Sequence, residues 1–229
     1  MPSVSIVKCD NYELEKVYLA IHKSLSLIDG IDKLVKPGMK VLLEINLLSS
    51  SQPPERAVNT HPVVVRALVT LFQKDFGCEV FIGDSSGSVK NSSTFNAFRI
   101  TRINEIAEDT GAKIVNFDKD EYLDIHNKDY EVVDKFRIAR TLRSVDFIVS
   151  VPKLKTHGLT QYTGAIKNML GTIPGNGKKN IHLIAPKPTV FAKALVDIYQ
   201  MAQPHLIIMD GIVGMEGNGP NAGQPKKVG

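Results

Sequence analysis

Lysine and histidine recur closely in the run Pro152-Lys153-Leu154-Lys155-Thr156-His157, and Lys167 follows His157 by ten residues. The chemistry such a group suggests is the holding of an anion by Lys155 and Lys167, with His157 placed to move a proton. Neighbouring lysines lower the pKa of a histidine and keep it neutral. A neutral imidazole serves as a general base, as a metal ligand, or as a residue that bonds its own loop backbone. These three are the catalytic candidates. The background supports an anion: from Phe147 to Val196 there is no Asp or Glu, and the same stretch carries lysines 153, 155, 167, 178, 179, 187 and 193. His182, beyond the Gly175–Lys179 segment, joins the site if that loop folds back, and is the candidate metal ligand.

Further polar residues stand where apolar runs end. Asn46 closes Lys40–Asn46. Asp84, Ser85 and Ser86 open the turn Asp84–Ser88, which can offer backbone N–H groups and hydroxyls to an anion. Asp210 follows His205–Met209, where it binds a cation or a hydroxyl or simply forms a turn. With Asn168, the neighbour of Lys167, these are the cofactor-binding candidates. Ligands bind beyond the carboxyl ends of the strands in open parallel sheets, so the four strand ends are expected to converge on one crevice. His22 and His126 are given no role, and His61-Pro62 opens a helix.

The elements that must position these residues alternate. Strands are expected at Ser3–Cys9, Lys40–Asn46, Glu79–Gly83, Lys113–Phe117, Asp146–Val151 and His205–Met209. Helices are expected at Tyr12–Leu27, Pro62–Phe76, Ser93–Thr110, Leu159–Leu170 and Thr189–Gln203, with Tyr130–Arg143 mixed. On the helix Leu159–Gly171, a step of about 100° per residue puts Tyr162, Ala165, Ile166, Met169 and Leu170 on a core face. Thr160, Thr163, Gly164, Lys167 and Gly171 fall opposite, a small polar face around one lysine. The fold class expected is α/β, a mainly parallel, Rossmann-like sheet with helices on both faces. Residues 1–229 read as a single α/β domain, the N-terminal fragment of a longer protein, ending in a Gly/Pro/Asn/Lys-rich tail from Gly217.

Composition bounds the rest. The chain has 229 residues, 43% hydrophobic and 23% charged, with net charge +4, which is ordinary globular composition. No apolar run reaches the roughly 18 residues of a membrane span, and Met1-Pro2-Ser3-Val4-Ser5 does not open a signal peptide. Cys9 and Cys78 are far apart and form no CxxC pair, so a thiolate zinc site or a cluster in this chain is not expected. A reducing, cytoplasmic setting fits. There is no Trp, and arginine does not alternate with aromatic residues, which argues against nucleic acid as a partner. A small anionic molecule is the expected one.

The runs Val151–His157, Ala165-Ile-Lys-Asn-Met-Leu-Gly171 and Asp210-Gly-Ile-Val-Gly-Met-Glu-Gly-Asn-Gly-Pro220 resemble a widespread prokaryotic family of unknown function, often labelled iron–sulfur cluster-binding. The resemblance spans essentially the whole chain. It implies a longer protein, with a ferredoxin-type module in the same or a neighbouring chain. A cluster is then expected in the full-length protein and not in this chain, whose cofactor is otherwise unknown. The family pattern usually reads Lys-Pro-Asn where this chain has Glu44-Ile45-Asn46. A more distant similarity is to the nickel-pincer lactate racemase. There a histidine precedes a cofactor-bearing lysine by ten residues, as His157 precedes Lys167, and a nickel-ligating histidine lies some sixteen beyond, near the place of His182. Acid/base chemistry of a racemase or oxidoreductase kind is what these resemblances imply, or else the non-cluster domain of an iron–sulfur electron-transfer protein.

Overall fold

A computed structural model describes residues 3–28, 30–87 and 93–229. Its strands are β1 (Lys40–Ile45), β2 (Glu79–Asp84), β3 (Lys113–Asn116), β4 (Tyr122–His126), β5 (Lys135–Ala139), β6 (Phe147–Val151), β7 (Lys153–His157), β8 (Gln161–Thr163), β9 (Leu206–Ile207), β10 (Asp210–Glu216) and β11 (Gln224–Lys227). Its helices are α1 (Leu14–Ser26), α2 (Ile31–Leu34), α3 (Pro62–Thr70), α4 (Ser93–Ile100), α5 (Ile103–Thr110), α6 (Thr141–Ser144), α7 (Ala165–Asn168), α8 (Gly177–Ile184) and α9 (Pro188–Ala202).

The central sheet has five parallel strands in the order β3-β2-β1-β6-β9. Helices flank it, so the fold is mixed α/β as expected. Strands buried on both faces read as mostly apolar runs, and β1 after Lys40 and β6 do so but for one polar residue each. Side chains alternate between faces: Val41, Leu43 and Ile45 join the core that contains α1, α3 and α5, and Leu42 joins the core that contains α9 and the β4-β5 hairpin. Glu44 and Ser150 interrupt these runs near the strand ends, and both are fully buried.

A second sheet, in the order β11-β10-β7-β8, grows out of the first. After Pro152, β6 continues as β7. With two residues between, β9 is followed by β10, parallel to β7 with Asp210 opposite Lys153. Two neighbouring strands thus leave one sheet together and start the next. The Gly/Pro/Asn/Lys-rich tail carries β11, which pairs antiparallel with β10.

Several expectations change. Ser3–Cys9 forms no strand among the described residues; Val4 and Ile6 are exposed, and of this segment only Cys9 is buried in the core. Ser93–Thr110 divides at Arg102, whose φ is 60°. Leu159–Leu170 is not one helix. Instead β8 folds back on β7 with Lys155 opposite Thr163 and His157 opposite Gln161. Gly164 is extended, and only then does α7 begin, followed by a 3₁₀ turn at Met169–Thr172. Tyr162 and Ile166, placed on a core face by the helical projection, are exposed. Gly177–Ile184, expected to open as a loop, is the helix α8.

Candidate functional site

The carboxyl ends of β1 and β2, the β7-β8 hairpin, α7 and α8 enclose two adjoining cavities. The outer, of about 170 Å³, is lined by Leu48, Ser86, Gly87, His157, Lys167, Leu170, Gly175, Lys178, Lys179 and His182. No acidic side chain is among them. The inner, of about 60 Å³, is bounded by Asn46, Asp84, Ser85, Lys155, Lys167, Asn168 and Lys178 among others. His157, Lys167 and His182 therefore meet at one cavity although they span 26 residues of sequence. The acid-free stretch has become an acid-free wall.

The lysines differ sharply in their surroundings. Lys155 is buried, and its amine donates to Asn46 Oδ1 (2.6 Å) and to the carbonyl of Val58. Burial, with Lys167 and Lys153 nearby, holds that amine well below the usual lysine range. Lys155 is thus an interior donor that fixes the orientation of Asn46. Lys178 reaches from α8 to the carbonyls of Ser85 and Ser86 and to Ser85 Oγ (3.0 Å). Lys167 alone of these makes no hydrogen bond or ion pair among the described residues, yet it lines both cavities. Burial, then the charge of Lys178, brings its amine down to about 8.

His157 Nδ1 accepts the backbone N–H groups of Leu159 (3.1 Å) and Thr160 (3.3 Å). That assigns the ring proton to Nε2. Burial first, then Lys167 and Lys155, lower its pKa to about 4, so the ring is neutral at pH 7. The loop-bonding role is real, and it makes His157 an N–H donor; its Nδ1 lone pair is already occupied. His182 stacks on Phe191 with ring centroids 4.4 Å apart. Among the described residues no group of three or more His, Cys, Asp or Glu is placed to hold a metal ion.

In the turn after β2 the amides and hydroxyls of Ser85 and Ser86 are not free for an anion. Ser85 N–H donates to Asp84 Oδ1 and Ser86 N–H to Thr94 Oγ1. Ser85 Oγ donates to Asp118 Oδ1 and Ser86 Oγ to Ser93 Oγ. These groups are already paired, and the turn's carbonyls position Lys178; Ser88 lies outside the described residues. Asp118, itself held below the usual carboxylate range by Ser85, Thr94, Gly175 N–H and Lys178 against its burial, anchors this corner.

Asp210 does not reach the crevice, so three strand ends converge and not four. It lies where the two sheets join, accepting from Lys153 Nζ (2.8 Å), Tyr12 OH (2.8 Å) and His61 N–H (3.0 Å). Tyr12 stacks on His61 at 3.5 Å. Lys153, which opens the lysine run, is fully buried here.

Sequence reasoning missed Glu44. It accepts from Asn168 Nδ2, and Asn168 Oδ1 in turn accepts from Asn46 Nδ2 (2.9 Å). Burial and the nearby Asp84 push Glu44 well above the usual carboxylate range, and burial lifts Asp84 to about 7. An acid in an otherwise apolar strand was the available signal. Cys9 and Cys78 are buried free thiols, raised by burial, and no helix of the described residues is long and apolar enough to cross a membrane.

A family profile described as "Domain of unknown function (DUF362)" matches residues 41–229. A thylakoid-associated protein of Synechocystis sp. (strain ATCC 27184 / PCC 6803 / Kazusa) is 32% identical over 230 residues, covering 99% of this chain and 68% of that protein. A solved protein of Thermotoga maritima matches with a TM-score of 0.62 at 13% identity, over 96% of this chain and 55% of that one. The lactate racemase apoprotein of Thermoanaerobacterium thermosaccharolyticum matches with a TM-score of 0.58 at 11% identity, over 90% and 50%. The chain spans about half the length of both solved proteins, and the likeness to them is one of fold.

Proposed function

This chain belongs to the DUF362 family, and from that premise we propose that its domain binds a small organic or inorganic anion, as part of an enzyme doing acid/base chemistry. The observation that carries the reading is Lys167: an amine at the meeting of two cavities, without a partner among the described residues, in an outer wall free of acids. An anion there gains the charge of Lys167 and the Nε2–H of His157, with Lys179 at the cavity's wall. The volume of about 170 Å³ is below the roughly 300–1,000 Å³ of sites for drug-sized ligands. A small carboxylate or a phosphate-sized ion suits it better than a nucleotide. With its pKa near 8, Lys167 has a minor neutral fraction at pH 7 and can take a proton from a bound acid. The fold shared with a lactate racemase apoprotein agrees with a small hydroxy acid.

Among the described residues no group of three or more His, Cys, Asp or Glu is placed to hold a metal ion by side chains alone, and Nδ1 of His157 is engaged with backbone. No step is assigned to a metal.

Thermal-shift measurements with lactate, acetate, sulfate and phosphate test the reading. At least one anion is expected to raise the Tm of the wild type, since a ligand at 100 times its Kd stabilises by about 2.7 kcal/mol. Lys167→Ala is expected to lose most of that shift. Equal shifts in the two proteins, or none in the wild type, would overturn it.

A further inference from the structure

The hydrogen bonds beneath the inner cavity run one way. Lys155 donates to Asn46, Asn46 to Asn168, and Asn168 to Glu44 Oε2. Asn168 Nδ2 also donates to the backbone carbonyl of Glu44, which only accepts, so the orientation of Asn168 and, through it, of Asn46 is fixed. Ser150 Oγ lies 3.4 Å from the same Oε2. The other oxygen, Oε1, is buried without a partner among the described residues. A buried carboxylate oxygen left bare is costly, and a protonated one is a donor that needs an acceptor. A Cβ placed on Gly171 would stand 2.6 Å from Glu44 Oε1 and 2.2 Å from Asp84 Oδ1, so both oxygens flank the same small gap beside a residue with no side chain.

We propose that Glu44 and Asp84 form one carboxyl pair that keeps a proton at neutral pH, and that an anion bound beside Lys167 and Lys178 strengthens its hold on that proton. The second half rests on the anion reading above; the first does not. Two carboxylates this close cannot both ionise freely away from water. Burial raises both groups, and the charges facing the pair are Lys178 from α8, Lys167 from α7, Lys155 from β7 and Asp118 after β3. The three lysines favour ionisation of Asp84, and Asp118 opposes it. An anion that offsets Lys167 and Lys178 removes part of the force that expels the proton. Anion and proton are then taken up together.

Infrared spectroscopy reads the pair directly through the C=O stretch of a protonated carboxylic acid, which shifts in D2O. The wild type without ligand is expected to show a buried carboxylic acid band at neutral pH that fades as pH rises. Glu44→Gln keeps the shape, accepts from Asn168 and offers an amide N–H to Asp84; the band is expected to be lost. Asp84→Asn is the reciprocal variant and moves or removes the same band. No such band in the wild type, or an unchanged band in both variants, overturns the pair. Sulfate, which does not titrate near neutrality, is expected to move the fading of the band to higher pH. An unmoved band, with sulfate binding shown by thermal shift, overturns the coupling. If the band is present and no anion binds, the pair stands, and both the coupling and the anion reading fall.

Discussion

Lys153, Lys155, Lys167 and Lys178 are alike in the sequence and unlike in the fold. The first is ion-paired with Asp210, the second is tied to Asn46 and Val58, and the fourth holds the carbonyls of Ser85 and Ser86. That leaves Lys167 as the amine with capacity to spare. Its pKa is about 8 in the fold against 10.5 for an ordinary lysine. Between those values the unfolded chain binds more protons, so the contribution of this residue to stability rises with pH from about 8 to 10.5. Asp84 has the opposite sign. Raised from 3.8 to about 7, it stabilises the fold most below its unfolded pKa and loses that contribution as pH rises through 7. Urea midpoints across alkaline pH should show the first effect, and Lys167→Met should flatten the rise relative to wild type. A Lys167→Met curve parallel to wild type would contradict the buried amine.

At the scale of elements, Gly171 deserves its place because the 3₁₀ turn after α7 passes directly over the two carboxyl groups. Gly171→Ala would force a methyl against Asp84 and Glu44 and is expected to cost about 1–3 kcal/mol, as overpacking does, read as a lower urea midpoint. The parallel sheet was legible because Val41–Leu43 and Phe147–Val149 are apolar runs inside β1 and β6, and those runs placed the two strands though not the strand order. The candidate residues were legible in part: His157, Lys167 and His182, all from the acid-free stretch, line one cavity, His182 because the segment before it folds back. It was misread where helical spacing in 159–170 competed with a hairpin. Periodicity cannot reveal that Gln161 takes a φ of 60° or that Gly164 is extended; pairing with β7 decides both. Ser85 and Ser86 looked like anion donors because a sequence does not show that Thr94, Ser93 and Asp118 already meet them. Asp210 looked like a fourth crevice residue because the bend into a second sheet is invisible before the sheets are built.

For the molecule as a whole, the joint between the sheets is the most exacting contact. Lys153 and Asp210 have no exposed side-chain surface, and each would be an uncompensated charge without the other. Lys153→Met alone is expected to destabilise by about 3–5 kcal/mol, while pairing it with Asp210→Leu restores part of the loss. Chemical denaturation of the single and double variants measures both, and equal losses would show that packing and not charge governs the joint. The same joint also sets a schedule for biosynthesis. Tyr12 leaves the ribosome 198 residues ahead of the aspartate it must bond, a wait of about 10–40 s at roughly 5–20 residues per second. Glu44 waits 124 residues for Asn168. The nascent N-terminal half therefore emerges carrying an acid its sheet is built to bury but with nothing yet to cover it, so the final sheet packing must follow translation of the lysine-rich second half.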